Sequence, residues 1–175
     1  MTTISTITIT TFLNNILDGN LDAVRSQENI NELINAIGKI NPRGYDLIPL
    51  FAAFGLYEDD EDDEDDEELR KEMFEYLLSI PTIDVSKVVV HHDGGDWTDT
   101  IMSPFHMMSS TDVSVEICNM ILQHPSMDVE KLNTIDHDKY TPLDLAVEYN
   151  PKIVPLLISK GAIYNTSVSG KNPQG

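Results

Sequence analysis

Apolar residues along this chain gather into helix-length runs, each entered through the same local pattern. Ile48-Pro49-Leu50-Phe51-Ala52-Ala53, Ser103-Pro104-Phe105-His106-Met107-Met108 and Thr141-Pro142-Leu143-Asp144-Leu145-Ala146 each set a proline before a large apolar residue. Two further small or apolar residues follow one variable position. Such a pattern predicts a helix start. Proline at the first helical position loses no needed N–H and has its φ preset, and Ser103 or Thr141 just before it can cap. Behind each start lies a second apolar run, at 69–79, 113–123 and 151–159, and a second helix is expected over each. An earlier and weaker pair, Phe12-Leu13-Asn14-Asn15-Ile16-Leu17 and Leu21-Asp22-Ala23-Val24, turns at Gly19. Residues 29–40 add an irregular helix before Pro42. Ile4, Ile7 and Ile9 sit among threonines, so 1–9 reads as a disordered or capping lead-in.

The runs repeat. Leu77-Leu78-Ser79-Ile80-Pro81-Thr82-Ile83-Asp84-Val85-Ser86-Lys87-Val88 overlays Ile121-Leu122-Gln123-His124-Pro125-Ser126-Met127-Asp128-Val129-Glu130-Lys131-Leu132 at an offset of 44 residues. Pro, Asp, Val and Lys coincide, and every apolar position except Ile80, which meets His124, meets another. The repeated unit is therefore helix, turn, helix and extended link. In its last copy, Asp136-His137-Asp138-Lys139-Tyr140-Thr141-Pro142-Leu143-Asp144-Leu145-Ala146 is followed by Ile153-Val154-Pro155-Leu156-Leu157-Ile158-Ser159-Lys160-Gly161-Ala162. This copy resembles the ankyrin repeat, with its T-P-L-H-x-A opening helix, leucine-rich second helix and terminal Gly-Ala. Asp144 stands where that pattern has histidine, and Pro155 inside the second helix predicts a kink. The Pro-Asp-Val segments ending at Val85 and Val129 resemble a variant with a β-type link.

The resemblance implies an all-α fold: an ankyrin-repeat solenoid of stacked helix-turn-helix units with short β-hairpin-like fingers. Its units are 10–40, 41–88, 89–132 and 133–163, with 164–175 as a flexible tail. Stacking is what stabilises such units, because one helix pair cannot bury its apolar face alone.

Departures from the roughly 33-residue family period mark insertions. Pro49 to Pro104 spans 55 residues, and Pro104 to Pro142 spans 38. One insertion is an unbroken run of eleven acids at 58–68, placed between the two helices of its unit. Like charges repel, so the run is expected to stay extended. Its last acids, Asp65 to Glu68, fall at the N-terminus of the next helix, where negative charge suits the dipole. The second insertion, Val88-Val89-Val90-His91-His92-Asp93-Gly94-Gly95-Asp96-Trp97-Thr98-Asp99-Thr100, falls where a finger belongs. It reads as a strand of valines and a tight turn. Trp97, the single tryptophan, either anchors a partner or folds back over the finger base.

Charge now enters the picture. The formal net charge is −19, and the acidic run accounts for most of it. So acidic a chain is a poor match for a phosphate backbone or an anionic membrane surface, so neither nucleic acid nor membrane is expected as a direct ligand. One cysteine, Cys118, excludes a disulfide framework and a cysteine zinc cluster, and reads as a core residue on an apolar helix face. His91 and His92 point to opposite faces of a strand, and no metal site is expected. By the resemblance, His106 stands at the family's structural histidine. There is no G-x-S-x-G, and Ser169-Gly170-Lys171-Asn172 fails as a phosphate loop, so no catalysis and no cofactor are expected. The N-terminus lacks a basic, continuously apolar secretion signal, so the protein is expected in the cytoplasm, the nucleus or a host cell's cytosol. Asn165-Thr166-Ser167 matches a glycosylation sequon that has no role there.

The resemblance implies a non-catalytic protein-binding module that uses a concave surface of fingers and first helices. Arg43, Tyr45, Asp46, Asp93, Asp96, Trp97, Asp99, His137, Asp138, Lys139 and Tyr140 are the candidate contacts, with Trp97, Tyr140 and Tyr45 as apolar anchors. Asp136 adds a fifth finger carboxylate to Asp93, Asp96, Asp99 and Asp138, so the expected partner is a protein with a basic or mixed patch. The rival reading is an acidic decoy or chaperone-like binder that occupies a nucleic-acid-binding protein through 58–68. An adaptor with no single partner surface is a third. Short ankyrin proteins are frequent in intracellular bacteria and large DNA viruses, so an effector inside a host cell fits the resemblance. A monomer is expected, although the last apolar helix lacks a polar cap and permits end-to-end association.

Overall fold

A computed structural model describes residues 6–39, 46–54, 64–91 and 100–165. The fold is mostly helical. Its contacts divide the chain into two units, Met1–Val85 and Ser86–Gly175.

In the first unit, α1 (Thr6–Leu17) begins inside the segment read as a lead-in, and buries Ile9, Phe12, Leu13 and Ile16. Gly19 turns the chain into α2 (Leu21–Arg25), where Asn20 Oδ1 accepts the Ala23 N–H at 3.2 Å. The helix expected over 29–40 is a single turn, α3 (Ile30–Leu33), followed by a strand. That strand, β1 (Gly38–Lys39), pairs antiparallel with β2 (Asp46–Leu47). Gly38 explains the change. A Cβ there would lie 2.7 Å from Ile9 Cγ1 and 2.8 Å from Leu13 Cδ1, so β1 approaches α1 too closely for any side chain. Next, α4 (Pro49–Phe54) buries all six of its residues, packing on α1 and on α5 (Glu64–Ser79). Phe54 and Phe74 meet edge to face at 5.0 Å. The end of the acidic run is helical from Glu64 onward, so Asp65 to Glu68 fall in the first turn and a half of α5, as expected. Carboxylates favour the positive end of the helix dipole enough to outweigh their repulsion there.

The second unit opens with an antiparallel ribbon of β3 (Val89–His91) and β4 (Thr100–Met102), in the register Val89↔Met102, Val90↔Ile101 and His91↔Thr100. The valines gave β3, whereas β4 carries no comparable signal. Then come α6 (Pro104–Ser110), α7 (Val115–Gln123), α8 (Val129–Leu132), α9 (Pro142–Tyr149), a 3-10 turn (Pro151–Ile153) and α10 (Val154–Ser159). As expected, α4, α6 and α9 all begin at prolines. Ser103 caps α6, and Thr141 caps α9 with a capping box completed by Asp144. Two expectations need correction. The link after Asp128 is not extended but helical, since Asp128 Oδ1 accepts the Glu130 N–H at 2.8 Å and starts α8. Pro155 kinks no helix interior, because the 3-10 turn ends at Ile153 and Pro155 lies in the first turn of α10, where its missing N–H costs nothing.

One polar contact recurs three times. Asn35 Nδ2 donates to the Thr82 carbonyl while its Oδ1 accepts the Asp84 N–H at 2.8 Å. Ser86 Oγ donates to the Ser126 carbonyl at 3.0 Å and accepts the Asp128 N–H at 2.8 Å. Asn133 Nδ2 donates to the Gly161 carbonyl at 3.0 Å, and its Oδ1 accepts the Ile163 N–H at 2.9 Å. In each case one side chain clamps a carbonyl and the N–H two residues later, in the link that follows a second helix. Asn133→Ala should therefore cost about 1–2 kcal/mol. Urea denaturation would measure it, and a change below about 0.3 kcal/mol would show the clamp to be incidental.

Candidate functional site

Between α8 and α9 the chain turns out and back over residues 136–140. One carboxylate shapes this finger. Asp136 is 9% exposed, and its Oδ1 accepts the N–H groups of Asp138 at 2.9 Å and Tyr140 at 2.8 Å. The Asp136 N–H donates to the Tyr140 carbonyl at 2.9 Å, and the Lys139 N–H to the Asp136 carbonyl at 3.2 Å. Asp136 was counted among the finger acids offered to a partner. It is turned inward instead, since the backbone N–H groups it accepts would otherwise have no acceptor.

The tip is what remains outside. His137, Asp138, Lys139 and Tyr140 are all exposed, and His137 Nε2 lies 3.1 Å from Asp138 Oδ2. Tyr140, at 39% exposure, is the apolar surface of this group. Lys139 has φ 71°, the sole positive φ of a non-glycine residue among the described residues. A lysine in that region costs on the order of 1 kcal/mol and persists because its surroundings hold it. One holder comes from the segment after α10: Asn165 Nδ2 donates to the Lys139 carbonyl at 2.6 Å. The Asn165 N–H donates to Asp144 Oδ2 at 3.1 Å, and the Thr141 hydroxyl lies 2.9 Å from the Ile163 carbonyl. Gly161, at φ 90°, makes the turn that sends this segment back.

His106 lies beneath the finger, buried in α6, with Nδ1 2.8 Å from Ser103 Oγ. Burial lowers its pKa below the ordinary value, against upward pulls from Asp136 and from the carbonyls of Tyr140 and Thr134. Nε2 makes no hydrogen bond of ordinary geometry, so those carbonyls act through space. The folded state holds the ring neutral, whereas the unfolded chain protonates it at about pH 6.5. Stability from this histidine is complete above that value and lost as pH falls toward the lowered folded value. Thermal melts from pH 7.5 to 5 should show a steeper loss in the parent than in His106→Gln. Parallel curves would remove His106 from the account.

Of the candidate contacts, His137, Asp138, Lys139 and Tyr140 are brought together in one finger. Asp46 belongs to β2, where its backbone pairs with Lys39. Arg43, Tyr45, Asp93, Asp96, Trp97 and Asp99 lie outside the described residues. The first helices contribute less than expected. Because α4 is buried throughout and α6 nearly so, α9 supplies the accessible surface, through Glu148 and through Tyr149 at 54% exposure. Tyr149 was not among the expected contacts, although its place eight residues after Thr141 on the same helix makes it readable. In the first unit, Arg25 Nη2 lies 3.9 Å from Glu72 Oε2, and its guanidinium stacks 5.7 Å over Tyr76.

Cys118 is buried on the apolar face of α7, and burial pushes its thiol up to about 12, so it stays protonated. Among the described residues, no group of three or more His, Cys, Asp or Glu side chains is placed to hold a metal ion, and no helix is long and apolar enough to cross a membrane. No protein-family model matches the chain, and no curated protein matches its sequence.

Proposed function

We propose that this protein is a non-catalytic binding module of the ankyrin-repeat kind, which holds a partner protein against its fingers and the exposed side of α9. One observation carries the reading. The 136–140 finger directs its own polar backbone inward through Asp136 and leaves His137, Asp138, Lys139 and Tyr140 outside. Side chains held on a fixed backbone lose little entropy on docking, and tyrosine is among the residues that dominate interface energies. The three clamps at Asn35, Ser86 and Asn133 support a repeated architecture along the chain. The exposed tip carries both charge signs, Asp138 and Lys139, so a partner with a mixed patch fits better than a purely basic one.

The acidic-decoy reading has its own support, because α5 begins within the acidic run and exposes Glu68, Glu72 and Glu75. Affinity capture separates the two, using the parent, a Trp97→Ala/Tyr140→Ala double variant and a deletion of 58–63 that leaves α5 whole. The finger reading requires that the double variant lose the captured protein and the deletion keep it. The reverse pattern would establish the decoy.

A further inference from the structure

The only strained non-glycine backbone among the described residues lies at the tip of the finger, and a segment remote in sequence holds it. We propose that residues 163–165 form a strap that fixes the finger in its binding shape, so that seating of the strap and docking of a partner at Tyr140 are coupled. This inference rests on the reading of 136–140 as the binding element.

Three contacts make the strap. The Ile163 carbonyl lies 2.9 Å from the Thr141 hydroxyl, the Asn165 N–H donates to Asp144 Oδ2 at 3.1 Å, and Asn165 Nδ2 donates to the Lys139 carbonyl at 2.6 Å. The first two anchor it to the cap of α9, which is itself fixed, since Asp144 Oδ2 also accepts the Thr141 N–H at 2.8 Å. The third reaches the strained residue. Lysine has no intrinsic preference for positive φ, so losing that donor leaves only the Asp136 contacts to hold the turn and lets the backbone relax more readily toward negative φ. Lys139 directly precedes Tyr140, and rotation there re-aims the ring. A partner that recognises the present orientation of Tyr140 tightens the strap by the same factor by which the strap tightens the partner.

Amide hydrogen exchange on the full chain tests this without a partner. Asn165→Ala should raise exchange at Asp138, Lys139 and Tyr140 by about tenfold, the effect of losing one hydrogen bond, and leave the amides of α7 unchanged. Adding Lys139→Gly removes the strain and should bring exchange back within about threefold of the parent. Unchanged exchange in the finger, an equal rise in α7, or no recovery in the double variant would each overturn the strap. None of these results bears on whether the finger binds, which the capture with the Trp97→Ala/Tyr140→Ala variant decides separately.

Discussion

Asn150→Ala should destabilise the protein by about 3 kcal/mol, more than any other single surface or cap substitution considered. Asn150 is 1% exposed and closes α9, its N–H donating to the Ala146 carbonyl. Its side-chain Nδ2 sits 3.2, 3.0 and 3.1 Å from the carbonyls of Met108, Thr111 and Val113, where the chain leaves α6 and turns toward α7. Two amide protons thus serve three carbonyls that no helix satisfies. Alanine strands them, and an unsatisfied buried polar group costs about 1–3 kcal/mol. Water entering the space recovers part of that, leaving a net loss near 3 kcal/mol. A whole domain has only about 5–15 kcal/mol to lose. The expected fall in melting temperature is about 6–12 °C. Asn150→Asp should be worse, because a carboxylate would then face three carbonyl oxygens. Calorimetry decides: a melting temperature within about 2 °C of the parent for Asn150→Ala would refute the account.

The second large effect is on binding and not on stability. Trp97→Ala/Tyr140→Ala should weaken partner capture at least 30-fold, about 2 kcal/mol, while the melting temperature holds within about 2 °C. For Tyr140 the separation has a structural basis. Asp136 engages the backbone N–H of Tyr140, and the Tyr140 carbonyl receives the Asp136 N–H, so truncating the side chain leaves the finger's frame intact. Capture at parental strength would end the finger reading, and a large fall in melting temperature would show Tyr140 to be a structural support.

Sequence and structure agree where the chemistry is local. Pro49, Pro104 and Pro142 each begin a helix because a missing N–H and a fixed φ suit that position whatever lies around it. Cys118 is buried because α7 has an apolar face. Disagreement follows interactions between distant residues. Nothing near Gly38 in the sequence announces that Ile9 and Leu13 press against it, so β1 was read as helix. Asp136 looked like one more surface acid, and only the closed turn shows its oxygen among backbone donors. Asn35, Ser86, Asn133, Asn150 and Asn165 were given no structural role because a neutral polar residue in a link looks like solvent-facing filler. Their partners lie 21 to 49 residues away.

The clamps also bear on how such a chain tolerates changes in length. From clamp to link the separation along the sequence falls from 47 residues at Asn35 to 40 at Ser86 and 28 at Asn133, yet the bonding pattern is the same. Whatever is inserted between the helices of a unit, the acidic run included, is bypassed by a contact made at the links. Segments there can lengthen, shorten or change composition over evolutionary time while neighbouring links keep their alignment. The same property makes the segment before α5 the place to graft a tag or a foreign peptide.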